Sequence, residues 1–163
     1  MTQIARKTFA GRREILLAAG GAAIVGAAGL GVRERSLRTA DAGAAGTLTP
    51  PEALAAAIEG RAVLIDIRRP DEWAATGCPA PARHIDMRRD DFAGAVRTAA
   101  GSPARPVALI CARGVRSRRM ADALGTAGLT PVLDVPEGML GSPAGPGWLA
   151  RGLPVRPAPE DRT

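Results

Sequence analysis

Val107-Ala108-Leu109-Ile110-Cys111-Ala112-Arg113-Gly114-Val115-Arg116-Ser117-Arg118-Arg119-Met120-Ala121-Asp122-Ala123-Leu124 is the stretch on which the fold turns. A short apolar run of strand type ends at Cys111. Beyond one brief loop, apolar residues recur at Met120, Ala123, Leu124 and Ala127, and Gly128 supplies a stop, so the spacing predicts a helix. Strand, cysteine, tight loop and helix follow with almost no connecting chain. That order points backbone N–H groups and the positive end of a helix dipole at the loop. A sulfur at such a place is favoured as an anion, because helix N-termini and nearby arginines stabilise thiolates. Arg113, Arg116, Arg118 and Arg119 crowd a helix start, where the dipole disfavours positive charge. An anionic ligand accounts for them, with Arg118 and Arg119 pointing into solvent as the alternative.

The segments on either side extend the pattern. Thr49 reads as an N-cap, with Pro50 at the first helical position and Glu52 three residues on, before a helix over 51–59 closed by Gly60. Ala62 to Ile67 is nearly continuous apolar chain, as in a strand covered on both faces. Asp66 interrupts it, and a buried carboxylate needs a partner, which Arg68 or Arg116 can supply. Arg88 to Val96 predicts a solvated helix with Phe92 and Val96 facing inward. Pro131 to Val135 is a further strand. Leu140 to Gly147 is too rich in Gly and Pro for helix and reads as a plain surface loop, with the rim of the pocket as the alternative. The tail from Arg156 is Pro-rich and charged, and is expected to fray. Strands alternating with helices give an α/β domain with a mostly parallel central sheet flanked by helices. Its ligand site belongs beyond the carboxyl end of the central strand, where Cys111 lies.

Length and charge set limits. The chain has 163 residues, enough for one ordinary domain, expected over 47–157, plus an N-terminal appendage and a tail at 158–163. The net charge is +6, but residues 1–42 hold seven of the basic and three of the acidic residues, which leaves the remainder at only +2. With two Trp, two Phe and no Tyr for stacking, nucleic-acid binding is not expected. His84 is the only histidine, so neither a zinc site nor a Ser-His-Asp triad has its parts. No Gly-rich phosphate loop is present.

The N-terminus reads as an address. Arg6, Lys7, Arg12 and Arg13 precede an uncharged apolar run from Ile15 to Val32, and Ala40-Asp41-Ala42 offers a cleavage site. Arg12-Arg13 resembles a twin-arginine export motif, so residues 1–42 are expected to be a signal peptide and linker, with cleavage after Ala42. The mature protein is then periplasmic or secreted. The alternative is an uncleaved anchor facing the periplasm, since 18 residues just suffice to span a bilayer.

Cys111-Ala112-Arg113-Gly114-Val115-Arg116-Ser117 resembles the active-site loop of the rhodanese (sulfurtransferase) family, C-x-x-G-x-R-S. Asp66-Ile67-Arg68 with Glu72-Trp73 is similar to a second family signature, D-x-R followed by E-[FW]. Gly77 to Ile85 matches a third imperfectly, with Cys78 in place of the usual His and Pro81 in place of a Gly. Glu137-Gly138-Met139 and Trp148 to Val155 resemble the family's ending.

The resemblance implies that Cys111 carries sulfur as a persulfide and that Ala112, Arg113, Gly114, Val115, Arg116 and Ser117 form its anion-binding loop. Asp66 and Arg68 support that loop, with direct substrate contact as the alternative. It implies a small anionic donor such as thiosulfate, a thiol, protein or cyanide acceptor, and no metal or organic cofactor. Cys78 reads as a packed thiol, with a resolving role or a disulfide to Cys111 as the alternative. His84 reads as a hydrogen-bonded structural residue. Two other functions remain open: a non-catalytic persulfide carrier, and a phosphatase of the Cdc25 type. The phosphatases have a C-x5-R loop, one residue longer than the C-x4-R from Cys111 to Arg116.

Overall fold

The computed structural model describes residues 46–129 and 131–158. The export segment expected over residues 1–42 lies outside them, as do the last residues of the tail. Among the described residues no helix is long and apolar enough to cross a membrane.

In chain order the elements are β1 (Gly46–Thr47), α1 (Pro50–Ile58), β2 (Val63–Asp66), α2 (Pro70–Thr76), β3 (Cys78–Pro79), β4 (Arg83–His84) and α3 (Phe92–Ala100). There follow β5 (Val107–Ile110), α4 (Val115–Thr126), β6 (Val132–Asp134), α5 (Gly147–Ala150) and β7 (Val155–Arg156). Five strands form one sheet in the order β1-β6-β5-β2-β4, and every pairing in it is parallel. β5 is its middle strand, as expected. A small antiparallel pair, β3 with β7, stands apart.

The alternation of side chains along β2 and β5 divides the core into two layers. Val63, Ile65, Ile67, Val107, Leu109 and Cys111 face one side, where Phe92 and Val96 of α3 and Ala121 and Leu124 of α4 cover them. Leu64, Ala108 and Ile110 face the other, beneath Ala53 and Ala56 of α1 and Trp148 of α5. Each fully buried Ile, Leu or Val contributes about 1.5–3 kcal/mol. Cys111 thus continues the inward series of β5, which sets its sulfur under the start of α4.

Four expectations need correction. The helix after the loop begins at Val115, so Arg116 and Ser117 belong to its first turn. Its buried stripe is Ser117, Ala121 and Leu124; of the four apolar positions expected, Leu124 is buried and Met120 packs against the core, whereas Ala123 and Ala127 are exposed. The helix around Phe92 starts at that residue rather than at Arg88, although Phe92 and Val96 are buried as expected. Arg156 does not fray. It lies in β7, and its guanidinium donates to the carbonyls of Ala80 and Ala82 at 3.1 and 2.8 Å. The capping interaction before α1 is present, with the Thr49 amide and hydroxyl both donating to Glu52 at 2.8 Å.

Candidate active site

The Cys111 side chain is 1% exposed. The chain turns over it within three residues and enters α4 at Val115. Gly114 makes that turn possible: its φ is +80°, and a Cβ on it would run into the Pro136 carbonyl. Gly138, at φ +65°, approaches the other side of the loop, where a Cβ would sit 2.6 Å from the Ala112 carbonyl. The Cys111 and Ala112 carbonyls accept hydrogen bonds from Met139 and Leu140 at 2.9 and 2.8 Å. Arg113 Nη1 donates to the Gly141 carbonyl at 3.4 Å. The Gly/Pro-rich segment read as a plain surface loop therefore borders the cysteine loop directly.

The amides of this loop are unspent. Among the described residues, none of the backbone N–H groups from Ala112 to Ser117 donates a hydrogen bond, and the first helical amide to do so is that of Arg118, to Gly114 at 3.0 Å. Helix geometry leaves early amides without partners, and here the loop adds its own. Ser117, fully buried, has its hydroxyl oxygen 3.5 Å from Cys111 Sγ and 3.1 Å from the Gly114 carbonyl. Val115 is 67% exposed and Arg113 is also exposed, so these two stand at the rim.

Arg116 is half-buried and held from outside the loop. Its Nη1 and Nη2 donate to the two carboxylate oxygens of Glu72 on α2 at 2.7 and 2.6 Å. Glu72 holds Arg116 firmly charged against the opposing effect of burial, and Cys111 adds a smaller effect of the same sign. In return, hydrogen bonding from Arg116 pulls the Glu72 carboxyl down to about 2 against the opposing effect of its burial. Glu72 also accepts from the Arg69 amide at 3.1 Å and so caps the start of α2. Its tie to Arg116 is not visible from spacing.

Asp66 finds its partner in Arg68. Nε of Arg68 lies 2.9 and 3.0 Å from the two carboxylate oxygens and Nη2 lies 2.7 Å from Oδ2. The rest of the guanidinium donates to the Thr76 hydroxyl and the Gly77 carbonyl at 2.7 Å and to the Glu72 carbonyl at 3.1 Å. Both side chains are buried. This saturated pair locks the end of β2 to α2, the helix that carries Glu72, so its link to the cysteine loop runs through Glu72 and Arg116.

Cys78 and Cys111 are both free thiols. Cys78 is buried in β3, and burial, reinforced by the charge of Asp66, pushes its thiol up to about 11. It is the packed cysteine of the sequence reading. His84 has Nδ1 3.4 Å from Arg156 Nη2, while Nε2 is buried without a partner among the described residues, and burial together with Arg156 keeps the ring neutral-leaning. Among the described residues no cluster of His, Cys, Asp and Glu has the makings of a metal site.

No curated protein matches the chain. Among solved structures, the Mycobacterium tuberculosis protein Rv0390 is 32% identical over 69% of this chain and 98% of its own, with a TM-score of 0.55. The polysulfide-sulfur transferase of Wolinella succinogenes is 24% identical over 82% of this chain and 93% of its own, with a TM-score of 0.56. A Rhodopseudomonas palustris protein described as a possible tyrosine phosphatase is 23% identical over 76% of this chain and 93% of its own, with a TM-score of 0.52. At those identities the last two share the fold. The family model of the rhodanese-like domain matches residues 49–141, more than half of the sequence, and the chain belongs to that family.

Proposed function

We propose that the protein is a sulfurtransferase that carries a sulfane sulfur on Cys111. The observation that supports it most is the set of six unspent amides from Ala112 to Ser117 on the loop that closes over a buried sulfur. Such donors stabilise negative charge where it develops, without reorganisation. The Cys111 thiolate attacks the outer sulfur of a thiosulfate-like donor, the donor's S–S bond breaks, and sulfite leaves with the bonding pair. The outer sulfur of the resulting persulfide is then attacked by a thiolate or cyanide. The S–S bond between Cys111 Sγ and the outer sulfur breaks, and the pair returns to Sγ as the thiolate. Two half-reactions with a covalent intermediate give ping-pong kinetics. Arg116 supplies the positive charge for the anionic donor, and no metal or organic cofactor enters either step.

The C-x4-R spacing favours a single sulfur over a phosphate as the occupant of the loop. Treatment with thiosulfate is expected to add about 32 Da, one persulfide sulfur, to the peptide containing Cys111. Thiocyanate release on adding cyanide, with no hydrolysis of p-nitrophenyl phosphate, separates this reading from the phosphatase. A loaded protein that passes sulfur to another protein but never to cyanide is instead a carrier. An adduct on Cys78 alone overturns the assignment. Export through the twin-arginine segment is part of the proposal, and N-terminal sequencing of the exported protein checks it: a start after Ala42 is expected, and an intact Met1 indicates the anchor.

A further inference from the structure

Glu137 lies between β6 and α5, is 2% exposed, and takes no part in the scheme above. Its Oε2 accepts from the Gly147 amide at 3.0 Å, and Arg151 Nε and Nη2 donate to Oε2 and Oε1 at 2.8 Å. Gly145 passes so close to the carboxyl group that a Cβ on it would stand 2.5 Å from Glu137 Cδ. A carboxylate this buried persists only where such partners satisfy it. One side chain thus ties the start of segment 138–147 to its end. Main-chain bonds run beside it. The Trp148 and Leu149 amides donate to the Gly138 and Met139 carbonyls at 2.9 and 3.1 Å, and Ser142 and Gly145 exchange bonds of 2.9 and 3.0 Å.

The segment so tied is the one that grips the cysteine loop. Met139 donates to the Cys111 carbonyl and Leu140 to the Ala112 carbonyl, at 2.9 and 2.8 Å. A trans peptide is planar, with its N–H directed opposite its C=O. The first bond therefore turns the Ala112 N–H away from the segment, and the second does the same for the Arg113 N–H. Both belong to the six unspent amides of the loop. Their direction is set from outside the loop, by a stretch of backbone whose neck Glu137 closes.

We propose that Glu137 is a positioning residue for the anion-binding loop. By closing the neck of segment 138–147 it holds the Met139 and Leu140 amides on the Cys111 and Ala112 carbonyls, and so aims the Ala112 and Arg113 N–H groups at the charge on the Cys111 sulfur. Its effect on turnover rests on the sulfurtransferase reading, whereas its effect on the thiolate needs no sulfur donor.

Cys111 is titrated by its ultraviolet thiolate absorbance in the full-length protein, with Cys78→Ser as background. The chain has two Cys and no Tyr, so the signal then reports one thiol. Glu137→Gln removes a negative charge, which by itself favours the thiolate and moves the midpoint down. Loosened amides move it up, because they no longer stabilise the anion. A rise of about one pH unit is expected, a tenfold loss of thiolate stabilisation, and loading from thiosulfate slows with it. Gly145→Ala crowds the same carboxylate without changing any charge, and its midpoint is expected to rise too. It decides the matter should Glu137→Gln fail to fold. Val63→Ala, a buried change at the opposite end of the sheet, is expected to leave the midpoint in place. A midpoint that stays or falls in whichever of the Glu137 and Gly145 variants folds overturns the proposal, as does an equal rise in Val63→Ala. A rise in the variants of a protein that never loads sulfur overturns the proposed function and leaves this inference standing.

Discussion

Arg116 on α4 and Glu72 on α2 grip each other through two hydrogen bonds of 2.7 and 2.6 Å, and this pair fixes the guanidinium in the first turn of the helix that follows Cys111. A guanidinium held at both nitrogens has little freedom to swing, so the arginine reaches an incoming anion already oriented. Glu72→Gln frees it. The expected result is a KM for thiosulfate raised by about tenfold, the equivalent of one charge-assisted bond, with a smaller change in kcat. Steady-state kinetics with cyanide as acceptor measures both.

The same pair governs stability in acid. Glu72 is held at about 2, below the ordinary carboxylate value of 4.5, so the folded protein takes up this proton less readily than the unfolded chain. Its contribution is whole above pH 4.5 and is lost as pH falls toward 2. After solvent screening of a partly exposed pair, about 1–2 kcal/mol is at stake. Urea unfolding at a series of pH values is expected to show a shallower acid loss in Glu72→Gln than in wild type.

Asp66→Asn is expected to be more damaging than any change at Glu72. It leaves the Arg68 guanidinium buried without its counter-charge, a loss of about 3–5 kcal/mol. Chemical denaturation reads the loss directly. Replacing both residues with apolar side chains of similar volume costs less than either single change, because no orphaned charge remains.

Gly114→Ala tests the shape of the loop. A Cβ there meets the Pro136 carbonyl at a backbone angle that only glycine adopts easily. The strain is about 1–2 kcal/mol before the clash is counted. Sulfur loading is expected to fall further than the melting temperature, since the displaced segment is the loop itself.

Cys78→Ser separates the two thiols. With its thiol pushed up to about 11, Cys78 is protonated at neutral pH. Peptide mass mapping is expected to find the loading of Cys111 intact in this variant, whereas Cys111→Ser abolishes it.

Contacts local in sequence were the legible ones. The strand into Cys111, the turn at Gly114 and the helix beyond follow from a short apolar run and one glycine, and the Asp66–Arg68 pair spans two residues. What spacing hides is any contact that the fold itself creates. Glu72 meets Arg116 across 44 positions, because β2 and β5 are sheet neighbours and present α2 beside the start of α4. Periodicity finds Leu124 on the inward stripe of α4 but misses its first turn, because a buried serine, Ser117, occupies a place where an apolar residue is looked for. Arg156 was read as tail because a two-residue strand pairing carries no pattern of its own.

Gly114 and Gly138 meet the neighbouring main chain with hydrogens alone, so the sulfur's socket is moulded from peptide groups and its bore is set by backbone geometry. The residues on its outer lip, Ala112, Arg113 and Val115, are then at liberty to change with the clientele, leaving the size of atom that the socket admits untouched.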